Sequence, residues 1–390
     1  MEHLEQWFRE HVAPTSPYPI GITVERAEGL YFYDDQGKRY LDLVAGIAVN
    51  NIGHRHPAVI KAIQEQVQRY LHVMVYGELV QAPQATLAKQ LADLLPAPLN
   101  MTYLVNSGTE ANEAALKLAK RATGRTELIA CRGAYHGSTH GSLSVSGNET
   151  KKFAFRPLLP DVRFIPFNAA EDLKQITHRT AAVIVETVQG DAGVRIPDPA
   201  YLQALRQRCT ETGALLIMDE IQCGMGRTGT LFAFEQFGIV PDLLTLGKAL
   251  GGGMPIGALC ASKELLELFT ERPMLGHITT FGGHPVNSAA AAATLSVLAE
   301  PGFLDPVAAN GRLFQSLLDH PAIREVRQIG LMLAVDLESP EMVQHVFTYC
   351  LERGIVGFWF LSCPASFRIA PPLTITKTVI REACQVILES

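Results

Sequence analysis

MTYLVNSGTEANEAALKLAK, residues 101–120, is the stretch that decides the fold class. MTYLVN (101–106) is a short apolar run, and Ser107-Gly108-Thr109 is turn chemistry. From 109 to 121, Ala111, Ala114, Ala115, Leu118 and Ala119 recur at the spacing of one helix face. A strand that turns directly into a helix is the first half of a βα unit.

The same logic extends outward. TELIAC (126–131), VRFIPF (162–167), AAVIVE (181–186), ALLIMDE (214–220), DLLTLG (242–247) and IGALCA (256–261) are further apolar runs. Their hydrophobicity is continuous rather than alternating, which suits strands covered on both faces of a mostly parallel sheet. Residues 199–212 read as a helix, with Asp198 as N-cap, Pro199 at the first position and Gly213 as terminator. Strands alternating with helices predict an α/β domain built on a seven-stranded sheet with helices on both sides.

The chain ends read differently. Residues 21–43 predict a small antiparallel unit broken by turn residues around Asp35–Gly37. Beyond about 290, helices mix with short strands such as GLMLAVDLE (330–338) and FRIAPPL (367–373). The expected division is a large domain over 50–285, with a smaller α+β domain assembled from 1–49 and 286–390. At 390 residues, two domains is the natural expectation.

Composition narrows the function. The chain is 47% hydrophobic and 18% charged, with a formal net charge of -6 and no basic stripe. A nucleic-acid binder and a polybasic membrane patch are both disfavoured. The N-terminus, MEHLEQWFREHVAPTS, lacks the basic and apolar regions of a signal peptide, and no apolar run is long enough to span a bilayer. Seven cysteines without a CxxC pair predict reduced thiols and a cytoplasmic location.

Three segments carry candidate chemistry. Ser107-Gly108-Thr109 opens a helix whose first N–H groups make an anion site, although an ordinary helix cap reads the same way. ALLIMDEIQCGMGRTG (214–229) delivers Asp219 to a strand's C-terminal end, where open α/β sheets put ligands. A carboxylate there needs a cationic partner, such as a protonated pyridine nitrogen, or else it caps its own turn. In DLLTLGKALGGGMPIGA (242–258), Lys248 follows a buried strand and precedes three glycines. Desolvation at that place lowers an ammonium pKa, as a Schiff-base nucleophile requires.

Taken together, NSGTEANEA, YHGSTHG, ETVQGDAG, MDEIQCGMGRTG, LGKALGGGMPIGA and TTFGGHP resemble class III aminotransferases of the ornithine and acetylornithine type. GKRYLDLVAGIAVNNIGHRHP and FRIAPPLTIT extend the likeness over most of the chain, in the right order. The resemblance implies a fold-type I, pyridoxal-phosphate-dependent transferase and a homodimer with shared active sites. It implies Lys248 as the Schiff-base lysine, Ser107, Gly108 and Thr109 on the cofactor phosphate, and Tyr135 stacked on the ring beside His136 and Gly137. Asp219 would hold the ring nitrogen, Gln222 would reach the phenolic oxygen, and Thr280 would serve the neighbouring subunit's phosphate.

Arg368 would take a substrate carboxylate, with Asp191 standing where ornithine-type members carry Glu, and Glu186 belonging to the same pattern. The implied activity moves an amino group from a donor of the acetylornithine, ornithine or 4-aminobutyrate class to an oxo acid, expected to be 2-oxoglutarate, in ping-pong fashion. An aminomutase, racemase, decarboxylase or non-catalytic homologue is the alternative on the same scaffold. One departure bears on substrate choice: where such members place an Arg for the distal carboxylate, this chain has Ser138.

Overall fold

The computed structural model describes residues 3–390. Its centre is a sheet of seven strands: β1 Met101–Val105, β2 Glu127–Cys131, β3 Val162–Ile165, β4 Thr180–Glu186, β5 Leu215–Asp219, β6 Leu243–Leu246 and β7 Gly257–Ala261. Their order in space is β1-β7-β6-β5-β4-β2-β3. β7 runs antiparallel to both β1 and β6, and the remaining pairings are parallel. All seven apolar runs picked out in the sequence are strands of this one sheet.

Continuous hydrophobicity has the expected cause. Val183, Val185, Leu216 and Met218 pack into a core that includes Leu202 and Leu205. Ile184 and Ile217, the residues between them, pack with Ala114, Ala115 and Leu118 on the other side. Both faces are covered, so both sets of alternating positions along the middle of β4 and β5 are apolar.

Two helices illustrate the local control. Helix α1, Gly108–Thr123, begins where the Ser107 hydroxyl accepts from the Glu110 N–H, and ends at Gly124 in the left-handed conformation. Helix α2, Pro199–Thr212, is capped by Asp198, which accepts from the Ala200 N–H, and ends at left-handed Gly213. Beside the sheet, the helix Pro285–Leu298 packs on Pro57–Arg69 and Ala82–Leu94.

The chain ends meet. Strands Val24–Glu28, Tyr31–Asp34 and Arg39–Asp42 form an antiparallel meander, and Ile355–Val356 adds to its edge in parallel. A second small sheet joins Glu325–Ile329, Met332–Asp336, Ser366–Ile369 and Phe358–Trp359. It places Arg368 opposite Ala334. Six of the seven cysteines are buried, all are free, and Cys363 is partly exposed. Among the described residues no helix is long and apolar enough to cross a membrane.

Candidate active site

Glu186, Asp219 and Thr245 stand side by side at the C-terminal ends of β4, β5 and β6. The turns after β1, β5 and β6 converge on this row. A Cβ on Gly108 would lie 2.7 Å from Ile221, and one on Gly247 would lie 3.3 Å from the Gly108 backbone. Glycine is required at Gly108 because the Ser107–Thr109 turn is wedged against the turn that follows Asp219. The three segments read separately in the sequence are therefore in contact.

Asp219 is buried and held by three partners. Its Oδ2 accepts from Asn112 Nδ2 at 2.8 Å and pairs with His136 Nδ1 at 2.7 Å. Its Oδ1 accepts from the Ile221 N–H at 3.0 Å, so the turn-capping reading of this aspartate also holds. Asn112 braces the cluster, donating to the His136 carbonyl at 2.7 Å and accepting from Thr245 Oγ1 at 2.8 Å. His136 keeps one buried ring atom, Nε2, without a protein partner.

Lys248 follows β6 through Gly247, with its backbone in the left-handed region at φ 43°. That conformation is strained for a side-chain-bearing residue and is typical of functional positions. Burial pulls its ammonium below the usual lysine value, Asp219 and Glu186 pull the other way, and Arg368 adds to the lowering. Glu186 accepts from the Tyr135 N–H at 3.0 Å and the Gly190 N–H at 2.9 Å. Burial pushes its carboxyl up to about 7, against the opposing pull of His136.

A second cluster adjoins the first. Arg368 is buried, lies over the Phe360 ring at 4.2 Å, and reaches Asp191 Oδ1 through Nη2 at 3.3 Å. Its Nε is buried without a partner. Asp191 also receives Lys151 Nζ at 2.5 Å and Ser362 Oγ at 2.6 Å on Oδ2, and the Leu361 N–H at 3.2 Å on Oδ1. The Lys151 ammonium lies 5.1 Å from the centre of the Tyr135 ring, and Tyr135 Oη bonds Ser138 Oγ at 3.1 Å.

The remaining expected residues are less engaged. The Ser107 hydroxyl is occupied as a helix cap. Thr109 Oγ1 bonds Thr139 and Ser142 at 2.9 and 2.5 Å. Gln222 packs its amide against Gly190. Thr280 is exposed and takes part in none of these bonds.

Residues 12–390 match the family model for class-III aminotransferases. The chain belongs to the class-III aminotransferases. It is a pyridoxal-phosphate-dependent transaminase of fold type I. It is similar to the acetylornithine aminotransferase of Methanopyrus kandleri, 44% identical over 338 residues, which cover 85% of this chain and 84% of that protein. The acetylornithine aminotransferase of Methanocaldococcus jannaschii is 39% identical over 92% of this chain and 90% of its own length. Among solved structures, the ornithine aminotransferase of Toxoplasma gondii superposes with a TM-score of 0.92 at 29% identity, covering 100% of this chain and 94% of that one. An (S)-enantioselective omega-transaminase from Thermomicrobium roseum gives 0.89 at 30% identity, over 100% and 96% of the two chains.

Sequence reasoning passed over Asn112, Thr245, Lys151 and Ser362. Asn112 carried a signal, because it is a polar residue on the buried face that holds Ala111 and Ala115. Lys151 carried none, since a lysine in a polar stretch reads as surface.

Proposed function

We propose that this transaminase takes its amino group from a donor of the acetylornithine, ornithine or 4-aminobutyrate kind and delivers it to a 2-oxo acid, with 2-oxoglutarate the expected acceptor. The observation that carries the reading is the grouping of three charges: a half-buried lysine amine that feels both a hydrogen-bonded buried aspartate and a buried arginine lacking a full set of partners. The residues present fit pyridoxal phosphate. The open N–H groups at the start of α1, with Ser107, Gly108 and Thr109, suit its phosphate. The Asp219 carboxylate suits its ring nitrogen, and Tyr135, His136 and Gln222 border the same space.

Pyridoxal phosphate, when bound, supplies an aldehyde that takes up the amino group and a ring that stores an electron pair. Lys248 Nζ holds the cofactor in the resting enzyme. The same Nζ, when not bonded to the cofactor, would move the substrate proton, its lowered pKa making it a competent base. Asp219 would pair with the ring nitrogen, and His136 and Asn112 hold its carboxylate in place for that role. Glu186 orders the Tyr135 turn through its backbone. Arg368 binds the carboxylate of the oxo acid, and Asp191 is its counter-ion when the incoming amine has none.

The active unit is a homodimer in which Thr280 completes the neighbouring subunit's phosphate site, consistent with its lack of engagement within one chain. A cytoplasmic location accords with seven free thiols. The test is a screen of amine donors against 2-oxoglutarate, following glutamate. The expected result is ping-pong kinetics with at least one ω-amino donor, and absence of glutamate with every donor overturns the reading.

A further inference from the structure

We infer that Lys151 is a positioning residue: it docks Asp191 away from Arg368, so that the guanidinium stays open to an incoming carboxylate. The inference rests on the transamination proposed above, and it follows from how Asp191 is shared. Three groups other than Arg368 hold this carboxylate: Lys151 Nζ at 2.5 Å, Ser362 Oγ at 2.6 Å and the Leu361 N–H at 3.2 Å. Arg368 has only the longest contact, 3.3 Å through a single nitrogen. A carboxylate bound to a free guanidinium prefers the two-pronged form, with two short bonds. Here Asp191 has been drawn off that geometry.

The dock is itself built. Lys151 ends the short turn Glu149–Lys151, which is capped by Asn148. Asn148 Nδ2 donates to Ser362 Oγ at 2.9 Å, and that hydroxyl donates onward to Asp191. One turn thus supplies both the ammonium and the support of the hydroxyl. Asp191 is also short, so a side chain anchored on Lys151 and Ser362 cannot also close on Arg368 with both oxygens. The guanidinium keeps a buried Nε with no protein partner, which a substrate carboxylate would satisfy.

Two consequences separate Lys151 from an ordinary surface ion pair. With the dock removed, Asp191 is released to close on Arg368, and every oxo acid must compete with it. The effect must also vanish when Asp191 cannot form that pair. A rival role, in which Lys151 binds the distal carboxylate that Ser138 cannot hold, would affect dicarboxylates alone.

The experiment uses the cofactor-loaded enzyme with pyruvate and with 2-oxoglutarate as acceptors, in the wild type, Lys151→Met, Lys151→Arg, Asp191→Asn and the Lys151→Met/Asp191→Asn pair. Lys151→Met should raise KM for both acceptors on the order of tenfold, the weight of one charge-assisted bond, with the change falling on KM rather than kcat. Lys151→Arg should restore most of the loss, and in the Asp191→Asn background the Lys151 substitution should add nothing. A rise confined to 2-oxoglutarate overturns the inference in favour of distal-carboxylate binding. Unchanged KM for both, in a wild type that transaminates, overturns it while leaving the proposed function standing. A wild type that transaminates neither acceptor removes the function on which it rests.

Discussion

Asp219→Asn separates a catalytic carboxylate from a turn cap, because the two roles use different atoms. Oδ1 accepts from the Ile221 N–H, whereas Oδ2 accepts from Asn112 and faces His136. An amide has one acceptor oxygen. Turned to keep the Ile221 bond, it presents an NH2 to the Asn112 NH2; turned the other way, it presents one to the Ile221 N–H. His136 can adjust by carrying its proton on Nε2, which has no protein partner, but Asn112 cannot. One charge-assisted bond is lost at about 1.5–3 kcal/mol and a buried donor is left opposed to another donor, so the fold should lose on the order of 3 kcal/mol. With Asp219 in its proposed role, the cofactor ring nitrogen would lose the same kind of partner. A single charge-assisted bond of that size corresponds to a fall in kcat of about 10- to 150-fold, as a lower bound. The assay is paired: thermal unfolding of the cofactor-free protein, and single-turnover absorbance of the loaded enzyme with a donor amine. If Asp219 were only a cap, the amide would retain the Ile221 bond and turnover would stay within about twofold of wild type. That result refutes the reasoning.

Other outcomes follow from the same geometry. Lys248→Ala should abolish turnover while leaving the fold and non-covalent cofactor binding intact; a borohydride-sensitive, imine-type visible band persisting in that variant would refute the assignment. Mixed dimers of Lys248→Ala and Thr280→Ala subunits should regain activity, since both lesions fall in one site; no recovery under subunit exchange counts against shared sites. Glu186 has its folded pKa raised from 4.5 to about 7, so the folded state binds the extra proton and stability falls as pH rises between those values, by on the order of 3 kcal/mol. Thermal unfolding of the cofactor-free protein across that range should show Glu186→Gln with a flatter slope; an identical slope refutes it. Ser138→Arg should improve KM for donors with a distal carboxylate, acetylornithine and 4-aminobutyrate, on the order of tenfold relative to neutral amines, measured by competition. No change in that ratio places the distal carboxylate elsewhere.

The strands were legible because burial on both faces leaves few positions for a polar residue, so β4 from Ala181 and β5 from Leu215 run apolar up to the charged residues that end them, Glu186 and Asp219. The caps were legible for a similarly local reason: Ser107 and Asp198 satisfy N–H groups within three residues of themselves. Strand order was not, since nothing in IGALCA distinguishes an antiparallel β7 inserted between β1 and β6 from another parallel strand. The site divides along the same line. Asp219 and Lys248 announce themselves by a charge placed directly after a buried strand. Asp191, by contrast, gets its meaning from partners 40 residues away in Lys151 and 177 away in Arg368. No periodicity links such positions, and a lone lysine in a polar turn carries no mark of the carboxylate it will meet. The proposed catalytic end of the site is therefore written in local sequence, because a strand end must deliver a charge to a fixed place. The substrate end is written in tertiary contacts, where an ion pair drawn from three separate segments can be retuned by one substitution without disturbing the sheet that carries the chemistry.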